Sequence, residues 1–317
     1  MNNVLNLIAE FKQLELKNYP HKEIKSLITK IGGFPITCEG LYIGDEIIRA
    51  RRNISNESYL YRKDLSYVPK EFNNKYQRAS TPNKTMFYGC PLKRMHLRKP
   101  KDLDINDLLL ISCLEVSNLL KTDADGEERI TFSRWAVTKT IKLCAMYCLK
   151  EFIVDDSHEN EIYKIYLSEL NRKSDPQYAK CFLEVLTFFS DEFAKEINNG
   201  SYDYDYMISA IFAELMVESE RVGIYYPSVQ TKYSNKIGYN VAITPETTDT
   251  SLKLISSLEC TLYKKGNEVY IDQDRVAFIT NNNNKLEYNQ VATKDHLGKD
   301  LVLEFLEGEI LSKQIKL

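Results

Sequence analysis

The chain reads as an α+β protein. Short apolar runs with strand character recur at 36–52, 85–88, 130–139, 223–226 and 239–244, and between them lie segments with helical apolar spacing at 4–14, 21–31, about 104–120 and 163–220. Neither an internal repeat nor a long linker interrupts the 317 residues, so one domain with helical additions is the simplest architecture. An apolar content of 43% and a charged content of 27% suit a globular chain with a sizeable core.

In chain order, Val4, Leu5, Ile8, Phe11 and Leu14 mark an amphipathic helix. Ile24, Leu27, Ile28 and Ile31 mark a second, stopped by Gly32-Gly33 and Pro35. This pair, residues 1–35, is expected to cap the domain or to meet a partner. Two strand pieces, Leu41-Tyr42-Ile43 and Ile47-Ile48, flank Gly44-Asp45. Residues 59–82 are polar and broken by prolines and Asn73-Asn74, which predicts loop. A strand is expected at Thr85–Tyr88, then a basic connection over Cys90–Lys101. A helix capped by Asp104 or Asn106 and running through Leu120 carries Glu115. Asp123–Glu128 is an acidic turn, followed by a strand around Trp135. Residues about 150–220 form a helical insertion, with stripes at Phe182, Val185, Leu186, Phe189 and at Ile208, Ile211, Phe212, Leu215. Strands return at Gly223 and Tyr239. Residues 249–262 and the terminal segment are mixed, Asn281–Asn284 is a turn, and residues 266–317 are expected to pack on the main domain.

The net charge of −3 conceals an asymmetry: fourteen Lys and Arg face three acidic residues between Arg49 and Lys101, and the rest of the chain is correspondingly acidic. A basic segment in an acidic protein fits a compact anionic ligand better than a nucleic-acid track. Apolar runs stay below the roughly 20 residues that cross a bilayer, and the first residues lack a signal-peptide pattern. The seven cysteines form an odd set in apolar contexts and read as reduced thiols, which predicts a cytoplasmic protein without membrane contact.

The candidate chemistry lies in short motifs. Arg49-Ala50-Arg51-Arg52 and Arg78-Ala79-Ser80-Thr81-Pro82 supply guanidinium groups, which bind phosphate oxygens in a planar, bidentate way. Tyr88, in Phe87-Tyr88-Gly89, supplies an aromatic face. Glu115 stands in Ser112-Cys113-Leu114-Glu115-Val116, where a carboxylate needs either solvent or a partner. Ser228 follows Tyr225-Tyr226-Pro227, a pattern that by itself is an ordinary turn. Asn240 lies in Gly238-Tyr239-Asn240-Val241. Cys144 and Cys148, four apart on an expected helix with no His nearby, read as buried thiols rather than metal ligands. The four histidines stand apart, Asp155-Asp156 and Glu159 read as a solvated turn, and Gly32-Gly33 lacks the spacing of a dinucleotide fingerprint.

In their order, these motifs resemble the RES domain, a family named for its Arg, Glu and Ser; the resemblance covers about residues 40–262, within a domain expected over 36–265. It implies an ADP-ribosyltransferase-like fold, a split β core with flanking helices, that holds NAD as substrate and needs no metal. It further implies a bacterial toxin, paired with a helix-turn-helix antitoxin, that degrades NAD with water or phosphate as acceptor or transfers ADP-ribose to a protein. Homo-oligomerisation and the choice of acceptor stay open. The motif matches assign Arg49 and Arg78 to pyrophosphate and ribose, with Arg51 as a further binding residue and Arg78 also among the catalytic ones, Tyr88 to stacking and Glu115 to the transition state; which of Arg49 and Arg51 faces the cleft stays open. Ser228 falls to orientation and Asn240 to support, while Tyr61 is a weaker match. Asn83 stands where the family has Gly and is expected to take the left-handed backbone that Gly would supply. A rival from another class is a nucleotide-sensing module on the same fold with little turnover.

Overall fold

A computed structural model describes residues 2–33, 35–54, 57–93, 105–146, 158–196, 202–219, 221–229, 238–266, 268–279, 285–290, 301–306 and 309–312. The two N-terminal apolar stripes become α1 (Asn2–Gln13) and α2 (His21–Ile31), with Gly32 at φ 78° ending the second. Strands β1 (Thr37–Leu41) and β2 (Glu46–Arg52) flank the Gly44-Asp45 turn, and a loop with short 3-10 turns leads to β3 (Phe87–Leu92). Helix α3 (Ile105–Val116) follows, then β4 (Gly126–Val137) and β5 (Ile141–Ala145). The helical block comprises α4 (His158–Lys173), α5 (Pro176–Phe193) and α6 (Met207–Glu218). Strands β6 (Gly223–Pro227) and β7 (Tyr239–Ile243), the short α7 (Pro245–Ser251), and β8 (Leu252–Lys265) through β9 (Glu268–Phe278) complete the core. Strands β10 (Asn289–Gln290), β11 (Leu301–Leu306) and β12 (Glu309–Ser312) lie at the far edge. The α+β class read from the sequence is the class observed, and no described helix is long and apolar enough to cross a membrane.

Several local expectations are corrected. The strand foreseen at Thr85–Tyr88 begins at Phe87 and runs through Leu92, taking up the start of the basic connection; residues 94–104 lie outside the described residues. Asp104 therefore falls outside, and Asn106 sits within α3 rather than capping it. The helix stops at Val116, because the buried Ser117 hydroxyl donates to Glu128 Oε2 (2.5 Å) and accepts from the Leu120 amide (3.0 Å), which starts a 3-10 turn at Leu119–Lys121. Cys144 is on β5, not on a helix, since Ile141, Leu143 and Ala145 fill one side of a short buried strand; Cys148 lies outside the described residues. Glu159 is no solvated turn residue: it lies in the first turn of α4 and accepts a hydrogen bond from Tyr225 at 3.0 Å. Asp155-Asp156 and Asn281–Asn284 lie outside the described residues.

The strands form one sheet in the order β1-β5-β6-β7-β3-β2-β4-β8-β9-β11-β12, with β10 beside β9. Its middle is weakly joined. Strand β2 pairs with β3 only through Glu46–Ile48 against Cys90–Leu92, while β3 goes on to pair with β7 through Phe87–Gly89 and β2 goes on with β4 as far as Arg52. The sheet thus parts beyond Ile48 and leaves a wedge between Arg49 and Tyr88. Where the two strands still touch, a Cβ on Gly89 would lie 2.5 Å from Ile47 Cγ2 and 2.9 Å from the Ile48 carbonyl oxygen, so only glycine fits.

Each half has its own helical cover. Residues from α1, α2, α5 and α6, among them Phe11, Ile24, Phe189 and Phe212, pack with Met146, Ile224 and Ala242 of the β5–β6–β7 half. Helix α3 covers the other half, with Leu108 and Ile111 packed among Ile48, Phe132 and Leu262. Phe87 and Trp135 join the halves on the opposite face, their rings edge to face at 5.2 Å. At about 1.5–3 kcal/mol for each fully buried large apolar side chain, these cores fix the wedge from both sides.

Candidate functional site

Glu115 lies on the last turn of α3, whose Ile111 and Leu114 press against the sheet and leave the carboxylate half-buried beside the ends of β6 and β7. In the β6–β7 ladder Tyr226 pairs with Asn240, and the Ser228 amide donates to the Gly238 carbonyl at 2.8 Å. That register brings both polar side chains, each almost wholly buried, to the carboxylate. Ser228 Oγ donates to Glu115 Oε1 at 2.6 Å, and Asn240 Nδ2 donates to the same oxygen at 2.8 Å. Three residues scattered over 126 positions of sequence therefore meet at one oxygen.

Asn240 is oriented in turn from its other end. Its Oδ1 accepts from the Cys90 thiol at 3.0 Å, and Ser112 Oγ, three residues before Glu115 on α3, donates to Cys90 Sγ at 3.4 Å. A carboxylate only accepts, so the amide nitrogen must face Glu115 and the thiol must donate to the oxygen. Burial, with the Glu115 charge adding to it, pushes the Cys90 thiol up to about 12, which keeps it a neutral donor.

The remaining motif residues surround this group without touching Glu115. Tyr88 takes a hydrogen bond from the Ala79 amide at 3.1 Å, and its hydroxyl meets Ser80 Oγ at 2.7 Å. Burial pushes the phenol up to about 12. Arg78 donates from Nη1 to the Phe193 carbonyl (2.5 Å) and from Nη2 to the Lys195 carbonyl (3.1 Å), at the C-terminal end of α5. Its guanidinium lies over the Tyr206 ring at 5.2 Å. Arg78 thus caps the negative pole of a helix. The charges of Arg78 and Glu115 both act on Tyr206 and Tyr226, whose phenols burial pushes up, so these groups share one neighbourhood.

Arg49 and Arg51 point from the same side of β2. Arg49 Nη1 donates to the Tyr88 carbonyl at 2.7 Å across the wedge, its guanidinium lies over Phe87 at 5.3 Å, and its Nε is buried with no hydrogen-bond partner among the described residues. Burial and then the like charge of Arg51 lower its pKa to about 9, so it stays cationic at neutral pH. Arg51 turns outward, over the Tyr59 ring at 4.8 Å and bonded to the Asp64 carbonyl. Tyr61 is exposed and lies in the turn with Lys63 and Asp64, whose carbonyl Arg51 meets. Asn83 has φ 65°, the left-handed conformation expected of it.

Cys90, Ser112, Tyr206 and Tyr226 belong to this neighbourhood and escaped the reading of the sequence. Two of them carried a signal, Ser112 by its helical spacing from Glu115 and Tyr226 by its place in the Tyr225-Tyr226-Pro227-Ser228 run. Chemically, a carboxylate held on one oxygen by two neutral donors is fixed in place and can face a cationic centre without reorganising. No protein-family model matches the chain, and a search of curated proteins finds no match.

Proposed function

We propose that the chain is an NAD-degrading enzyme that breaks the bond between nicotinamide and ribose and acts in the cytoplasm as a bacterial toxin, restrained by a helix-turn-helix antitoxin over its cleft. One observation carries the reading: the RES-like Glu115, Ser228 and Asn240 converge on the single oxygen Glu115 Oε1. As the glycosidic bond breaks, its electron pair leaves with nicotinamide, which becomes a neutral ring. Positive charge builds on the ribose, and Glu115 stabilises it. Water or phosphate then bonds to the anomeric carbon, and an attacking water gives its proton to solvent. Arg49, whose buried Nε has no partner among the described residues, is the guanidinium best suited to the pyrophosphate.

The test is incubation with NAD, with and without phosphate, followed by mass spectrometry of nicotinamide and the ADP-ribose products beside Glu115→Gln. Nicotinamide release that vanishes in the variant supports the enzyme, and a phosphate-dependent product identifies the acceptor; ADP-ribose attached to protein would identify transfer instead. The second reading is a nucleotide-sensing module on the same fold, with little turnover. It gains ground if NAD binds and survives.

A further inference from the structure

The turn that carries Arg78 also anchors Tyr88, through the Ala79 amide and Ser80 Oγ. It is a tight structure: Gln77 and Ser80 exchange main-chain hydrogen bonds of 2.8 and 3.1 Å, and the Lys84 amide closes on the Thr81 carbonyl at 2.9 Å. The last side chain of this run that reaches into the body of the protein is Thr81. Its hydroxyl donates to Glu214 Oε2 at 2.6 Å.

Glu214 lies on α6, within the helical block that no motif covers. Its side chain is 7% exposed, and its other oxygen meets Lys25 of α2 at 3.2 Å and Lys84 at 3.1 Å. A nearly buried carboxylate with two ammonium partners and one hydroxyl is held from three directions, by α2, by α6 and by the turn itself. We infer that Glu214 is a positioning residue for the cleft: through Thr81 it sets the turn from which Arg78 and the anchor of Tyr88 are presented. The inference relies on the NAD reading above for what the cleft holds, while the link from Glu214 to the turn is independent of it.

Thr81→Val keeps the shape and removes the hydroxyl that donates to Glu214 Oε2, leaving Lys84 as the turn's other partner of Glu214, while Thr81→Ser restores the hydroxyl. Ile28→Val, a small cavity in α2 within the same core, serves as the stability control. Two readouts apply. Hydrogen exchange of the 77–84 segment, without ligand, is expected to quicken in Thr81→Val and to stay at the wild-type rate in Thr81→Ser and Ile28→Val. With NAD, Thr81→Val is expected to raise KM about tenfold, the scale of a hydrogen bond to a charged group, with kcat within about twofold. Thr81→Ser recovers the wild-type KM, and Ile28→Val lowers Tm with KM unchanged. Equal KM changes in Thr81→Val and Ile28→Val, or unchanged exchange in Thr81→Val, overturn the inference. If the wild type neither binds nor consumes NAD, the functional reading fails and the exchange data alone decide the role of Glu214.

Discussion

The guanidinium of Arg49 donates to the main-chain carbonyl of Tyr88, 2.7 Å away, at the place where β2 has parted from β3. A side chain therefore satisfies a carbonyl that a neighbouring strand would otherwise pair. Arg49→Met is expected to strand that carbonyl and to cost about 1–3 kcal/mol of stability. Arg49→Lys keeps the charge but loses the planar fork, and should weaken NAD binding about tenfold with little change in stability. Chemical denaturation and calorimetric titration measure the two effects. A Lys variant that binds NAD as tightly as wild type would remove Arg49 from the pyrophosphate.

Ser228→Ala and Asn240→Ala each delete one donor to Glu115 Oε1. Each is expected to lower kcat about 10–100-fold, the scale of a hydrogen bond to a charged group. Because the two act on one oxygen, the double variant should lose less than the product of the single losses. Steady-state kinetics on the four proteins gives the coupling, and strict additivity contradicts a shared role.

Gly89→Ala tests the weak joint of the sheet. The added methyl meets Ile47 Cγ2 at 2.5 Å and the Ile48 carbonyl at 2.9 Å. A loss of about 1–3 kcal/mol is expected, in the range of overpacked cores. A thermal melt that matches wild type would mean that β2 and β3 stand further apart than described.

Glu214 supplies a pH dependence. Burial alone would raise its pKa, but hydrogen bonds from Thr81, Lys84 and Lys25 outweigh it and hold the carboxyl at about 2; Glu218 is lowered too, chiefly by its hydrogen bonds to Lys25 and Lys84. A carboxyl depressed in the folded state adds stability above its unfolded pKa of about 4.3 and loses it as pH falls toward the folded value. Between roughly pH 4.5 and 2, wild-type Tm should therefore fall more steeply than that of Glu214→Gln. Parallel curves would deny Glu214 this part.

The described cysteines should separate by reactivity. Burial pushes the thiols of Cys90, Cys113, Cys144 and Cys260 up, whereas Cys38 is exposed. A thiol reagent applied to the native protein should modify Cys38 first and reach these four only on unfolding. Rapid native modification of Cys90 would contradict its place behind Asn240.

What the sequence disclosed depended on how locally each feature is encoded. The helices of the first 31 residues and of the 158–218 block announce themselves because one apolar stripe meets one core. Strand β8 was obscured because its second face is polar yet buried: Ser257, Glu259 and Thr261 alternate with Leu258, Cys260 and Leu262, and their partners, such as Arg275 and Asp274, come from β9. Strand β5 is five residues long, with Ile141, Leu143 and Ala145 on one side and the exposed Lys142 and buried Cys144 on the other, a length at which period cannot separate strand from helix. Glu115, Ser228 and Asn240 were visible as motifs, but their shared oxygen is a product of strand register. Tyr206 and Glu214 carried no signal at all, since aromatic and acidic residues are common in helices and only the fold makes them neighbours of Arg78 and Thr81.

Leu7, Phe11 and Ile24 are buried against Phe188, Phe189 and Phe212, about 170 to 200 residues further along. During synthesis at about 5–20 residues per second, the earliest helices therefore wait roughly 10–40 s for their partners to leave the ribosome. The turn bearing Arg78 waits with them, because Glu214 is made after it. A half-made chain cannot bring Ser228 and Asn240 to the Glu115 carboxylate, so that group assembles only when translation has passed Asn240.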